Sequence, residues 1–116
     1  MQTVVETPTY LAAAGALFSD AERAEIVTMV AQNPECGDVL AGTGGFRKVR
    51  FARQGRGKSG GARVIYIYHN EKFPVFLITV FAKNQKDNLT KAERNALARR
   101  AKQLFETYKG WGSGVL

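Results

Sequence analysis

The spacing of apolar and polar residues changes along the chain, and each change marks an element. Residues 3–6 are short and β-branched, and they read as an edge strand closed by Thr7-Pro8. Residues 9–17 are rich in alanine and predict a short helix. In Ser19-Asp20-Ala21-Glu22 a hydroxyl is followed three residues later by a carboxylate, a pairing that satisfies two backbone N–H groups at a helix start. The helix it opens has a broad apolar face (Ile26, Val27, Met29, Val30) and a solvated side with Glu22, Arg23 and Glu25. It stops at Asn33-Pro34, because proline cannot continue it. Residues 37–45, with Gly37-Asp38 and Gly42-Thr43-Gly44-Gly45, read as a loop.

Three strands follow. In residues 46–52, Val49 and Phe51 lie on one face and Lys48 and Arg50 on the other. Residues 53–61 hold four glycines and three bases and form a basic hairpin tip. Residues 62–69 and 73–81 are nearly continuous apolar runs split by a turn at Asn70-Glu71-Lys72, as expected of central strands covered on both faces. Thr90-Lys91-Ala92-Glu93 repeats the capping pattern. It opens a basic helix to about residue 109, with Leu97, Ala101, Leu104, Phe105 and Tyr108 facing inward. The glycine-rich residues 110–116 predict a frayed tail, with Trp111 as an anchor. The order predicts an α+β fold in one domain over residues 1–116, a small antiparallel sheet packed against N-terminal helices and a C-terminal helix.

Composition narrows the class. A chain of 116 residues suits one core, and 45% hydrophobic with 23% charged residues excludes general disorder. Cys36 is the only cysteine, so no intramolecular disulfide and no thiolate zinc site can form. It reads as a structural thiol in a reducing compartment. The apolar segment at residues 10–18 follows Glu6, has no basic flank and precedes further acids, so it does not read as a secretory leader. No run approaches the roughly 20 apolar residues of a membrane span. The expected location is the cytoplasm, with no membrane partner.

Charge changes the picture more. The net +7 is uneven: residues 1–38 hold six acids and one base, whereas residues 39–70 hold seven bases and no acid. That basic centre is an electrostatic footprint for nucleic acid. The one histidine, His69, ends a strand beside a turn and reads as a surface residue. With a single histidine and few clustered carboxylates, neither a two-histidine ribonuclease nor a two-metal nuclease site is expected, and no cofactor or metal is implied. Gly55-Arg56-Gly57-Lys58-Ser59 lacks the spacing of a phosphate-binding loop and opens no helix.

Cations on strands remain. Lys48 and Arg50 share a sheet face, Arg63 opens the next strand across the hairpin, and Lys83 follows the last strand. Four converging cations would bind phosphate and favour the charge that develops in phosphoryl transfer. RNA supplies its own nucleophile in the 2′-OH, and an ammonium crowded by other cations can serve in part as a base.

Three segments carry a family resemblance: Gly42-Thr43-Gly44-Gly45-Phe46-Arg47-Lys48-Val49-Arg50, then Gly60-Gly61-Ala62-Arg63-Val64-Ile65-Tyr66, then Phe81-Ala82-Lys83-Asn84 with Asp87-Asn88-Leu89-Thr90. In this order they resemble the HigB-like branch of the RelE/ParE toxins over nearly the whole chain. The resemblance implies a RelE-like fold, with helices on one sheet face and an RNA-binding concavity on the other. It implies a toxin of a toxin–antitoxin pair, a metal-independent endoribonuclease that cleaves messenger RNA in the ribosomal A site. Its partners would be the small ribosomal subunit, the message and a HigA-like helix-turn-helix antitoxin, with DNA reached only through the antitoxin complex. Lys48, Arg50, Arg63 and Lys83 match the catalytic positions, while Arg47, Arg53, Arg56, Lys58, Asn84 and Lys86 are expected to contact RNA or ribosome. The chain departs from the better-studied branch at Asn84, where that branch has an arginine, and at Leu89, near its active-site tyrosine. Two other readings stay open: a ParE-like toxin that poisons DNA gyrase, and an RNA-binding relative without catalysis.

Overall fold

A computed structural model describes residues 1–52, 61–82 and 89–115, with residues 108–115 as backbone only. Its elements run β1 (Val4–Glu6), α1 (Pro8–Gly15), α2 (Asp20–Gln32), β2 (Asp38–Val39), β3 (Phe46–Phe51), β4 (Ala62–Ile67), β5 (Val75–Ala82) and α3 (Lys91–Val115). The strands form one five-stranded sheet in the order β1-β5-β4-β3-β2. The β5-β4-β3 meander is the antiparallel unit that the three predicted strands form, and β2 extends it by antiparallel pairing with β3. β1 joins parallel to β5, with Val4 opposite Val75.

Local chemistry sets each boundary. The Thr7 side chain accepts from Tyr10 N at the start of α1 and donates to Leu77 O at 2.7 Å, tying the helix to β5. Ser19 and Glu22 form the expected reciprocal cap on α2, with N···O distances of 2.9 and 3.2 Å. Thr90 and Glu93 do the same for α3 at 2.9 and 3.1 Å. Gly42, Gly44 and Gly45 all have positive φ, which favours glycine, and between them the buried Thr43 hydroxyl bonds to Leu40 O and Phe46 N. This loop turns the chain back from β2 and fixes where β3 begins.

The sheet separates two cores. On one face, Tyr10, Ala14, Ile26 and Val30 of the N-terminal helices, with Phe18 between them, cover Val64, Tyr66, Val75, Leu77 and Val80. On the other, Leu97, Ala101, Leu104 and Phe105 of α3 cover Phe46, Ile65, Ile67, Phe76 and Ile78. The expectation that helices occupy only one face is therefore corrected, because the apolar side of α3 needs the second face to bury itself. β2 also replaces part of the loop expected at residues 37–45; two residues are too few to show a period. The helix extends through residues 110–115, where three glycines predict a frayed tail. Among the described residues, no helix is long and apolar enough to cross a membrane.

Candidate active site

Strand register determines which cations meet. Arg50 on β3 pairs directly with Arg63 on β4, which pairs in turn with Phe81 on β5. Lys48 lies two residues along β3 from Arg50 and pairs with Ile65. Side chains directly opposite on neighbouring strands have Cβ atoms about 4.5–5.5 Å apart, and diagonal neighbours about 7–8 Å. Lys48, Arg50 and Arg63 thus form one cluster on the face that α3 crosses, as the sequence predicts. Their surroundings differ: Arg50 is exposed, Lys48 half-buried, and Arg63 buried at 4% exposure. Arg50 and Lys48 can donate charge-assisted hydrogen bonds to a phosphate from this face, with the buried Arg63 adding positive charge beside them.

Arg47 goes elsewhere. It lies on the opposite face of β3, paired with Tyr66. Its Nη1 donates to Gly37 O at 2.8 Å and Glu35 O at 3.3 Å, and its Nη2 lies 3.9 Å from the Glu35 carboxylate. This arginine braces the turn before β2 and faces away from the cation cluster. A one-residue step along a strand reverses the face, which is why Arg47 and Lys48 part company.

Tyr66 shares the bracing. Its hydroxyl donates to Pro34 O at 2.7 Å, accepts from Gly37 N at 2.8 Å and lies 3.6 Å from Cys36 Sγ. Burial, and then the Cys36 contact, push this phenol well above the ordinary tyrosine range. A Cβ on Gly37 would sit 2.9 Å from both Lys48 O and Tyr66 Oη, so only glycine fits. Cys36 is a half-buried free thiol in this packing, matching its structural reading.

One residue of the face was missed. Asp38 pairs directly with Lys48, which places a carboxylate position at the edge of the cation cluster. Leu40, two residues on, joins the core on that same side. The sequence reading hides Asp38 in a glycine-rich loop, and the available signal was only its place in an otherwise acid-free approach to the basic strand.

The remaining expected site residues divide simply. His69 is exposed beyond the far end of β4 from Arg63, with its ring 5.2 Å from Phe73 and 4.4 Å from Phe105. Leu89 packs against the core under α3, so at this position the chain uses an apolar side chain for docking the helix. Lys83, Arg53, Arg56, Lys58, Asn84 and Lys86 lie outside the described residues.

This arrangement of sheet, helices and strand cations has a counterpart among known proteins. Residues 16–110 match the family described as the RelE toxin of the RelE/RelB toxin–antitoxin system. The chain belongs to the RelE toxin family. The match takes in α2, all of β2 to β5 and most of α3. A solved structure of an E. coli RelE toxin, a double arginine-to-alanine mutant in the free state, has the same fold. It superposes with a TM-score of 0.56 at 20% identity, covering 86% of this chain and 96% of that one. As a RelE-family member the protein is the toxin of a toxin–antitoxin system, and its partner is an antitoxin.

Proposed function

We infer that this RelE-family toxin is a metal-independent endoribonuclease that cleaves messenger RNA in the ribosomal A site and so blocks translation in the cytoplasm. The observation that carries this reading is the register pairing Arg50 with Arg63 while Lys48 shares their face. In the proposed reaction the 2′-oxygen of the message attacks the adjacent phosphorus, and the three cations stabilise the charge that builds on the phosphoryl oxygens. Lys83 joins them by its place in the family motif. The cleavage needs no histidine, because RNA brings the nucleophile and the site brings the charge. Arg53, Arg56, Lys58, Asn84 and Lys86 are assigned to ribosome and RNA contacts. The antitoxin is proposed to be a HigA-like helix-turn-helix protein that covers part of the positive surface.

Single-turnover cleavage on programmed ribosomes, paired with equilibrium ribosome binding, tests the site. Alanine at Lys48, Arg50, Arg63 or Lys83 is expected to lower the rate by about 10²–10³, as loss of one preorganised donor commonly does. Arg56→Ala should weaken binding modestly and leave the bound rate intact. If Arg50→Ala and Arg63→Ala behave like Arg56→Ala, the cation face is only a docking surface. Equal cutting of a reporter with and without its start codon would remove the ribosome from the mechanism.

A further inference from the structure

The segment before β2 is held more firmly than a surface turn requires. Arg47 from β3 and Tyr66 from β4 both reach into residues 34–37 and bind Pro34 O, Glu35 O, Gly37 N and Gly37 O. The Gly37 backbone presses so closely on Lys48 O that no side chain is tolerated. These contacts end immediately before Asp38, so they fix the backbone that delivers Asp38 across from Lys48. Asp38 is exposed, and it stands where a carboxylate repels any phosphate that Lys48, Arg50 and Arg63 attract. For a surface that only binds a polyanion, this acid is a cost.

We propose that Asp38 is the proton acceptor of this site, held opposite Lys48 by the Arg47–Tyr66 brace. This rests on the endoribonuclease reading above and assigns a step within it. The 2′-OH proton passes to the Asp38 carboxylate as the 2′-oxygen bonds to phosphorus. The bond from phosphorus to the 5′-oxygen breaks, and that oxygen takes a proton from the Lys48 ammonium. The products are a 2′,3′-cyclic phosphate and a 5′-hydroxyl end, and water then returns both groups to their starting forms. An ionised carboxylate only accepts hydrogen bonds and an ammonium only donates them, so the cross-strand pair supplies the two opposite proton roles. Arg47 and Tyr66 are positioning residues in this scheme, which accounts for a cation and a buried phenol committed to one short turn.

The test uses full-length Asp38→Asn, Asp38→Glu and wild-type toxin on programmed ribosomes. Electrostatics alone predicts that Asp38→Asn binds ribosomes more tightly and cleaves as fast or faster, because a repelling charge has gone. The proposal predicts tighter or equal binding with a single-turnover rate at least about 10²-fold lower, the usual contribution of a positioned base. Asp38→Glu should recover part of that rate. A urea midpoint unchanged from wild type accompanies the expected result, since Asp38 sits exposed on an edge strand. If Asp38→Asn cleaves at the wild-type rate, the proton-acceptor role is overturned while the nuclease reading stands. If wild-type toxin itself leaves ribosome-bound message uncut, the nuclease reading fails first.

Discussion

Along β4, Val64 and Tyr66 point into the core beneath α1 and α2, whereas Arg63 and Ile65 point to the face crossed by α3. β3 divides the same way, with Val49 and Phe51 on the first face and Lys48 and Arg50 on the second. Apart from Arg47, which is tied to the turn before β2, the first face is apolar along these strands, and the helices above it sit in the acidic third of the chain. The second joins an apolar patch under α3 to a cation cluster, and Lys91, Arg99, Arg100 and Lys102 of α3 are exposed on that same side. Charge is thus sorted by sheet face as well as by sequence position. The sheet can carry a cation cluster on one side because the other side supplies a complete core. Arg63 serves both tasks at once, since it is buried in the sheet and pairs directly with Arg50 of the cluster.

The contrast predicts that damage on the two faces reads out differently. The largest effect is expected from Tyr66→Ala, which removes a fully buried ring together with the bonds that brace residues 34–37. It should lower stability by about 3–5 kcal/mol, measured by urea unfolding. Arg50→Ala should leave the urea midpoint near wild type, and a comparable loss there would erase the distinction between the faces.

Alkaline pH sharpens the contrast. Burial, with a further push from Glu6, raises the Tyr10 phenol from 10.0 to about 12. Folding favours the neutral phenol, so its stabilising effect is complete below pH 10 and is lost as pH rises through about 12. Urea midpoints measured from pH 9 upward should fall over that window, and Tyr10→Phe should flatten the decline. A Tyr10→Phe curve parallel to wild type would place the alkaline sensitivity elsewhere.

The smallest effects concern the two capping boxes, one on each side of the sheet. Ser19→Ala and Thr90→Ala should each cost about 1 kcal/mol. The first should appear in global urea unfolding. The second should appear as faster amide exchange confined to α3, with the first core unaffected. Equal global losses from both would mean that α3 and the N-terminal helices unfold as one unit.

Much of the fold was legible because its signals are local. Both capping boxes, the Pro34 stop and the alternation of Val49 and Phe51 against Lys48 and Arg50 follow from backbone geometry and side-chain type. The sheet partners of β1 and β2 were not legible. A three-residue strand that pairs in parallel with β5, about seventy residues later, leaves no period to read. A two-residue strand among glycines looks like a loop. The bracing by Arg47 was not legible either, because the charge pattern records sign but not the acceptors that a folded turn presents.

By itself, the sequence determined which residues alternate, where helices start and stop, and where positive charge accumulates, since each depends on neighbours within one or two turns of chain. Only the tertiary structure decided that α3 covers the second face, that β1 joins β5 in parallel, and that Arg47 braces the turn that brings Asp38 to Lys48. Those are contacts between segments distant in sequence, set by strand register and by the need to bury two apolar surfaces, one on each side of a single sheet.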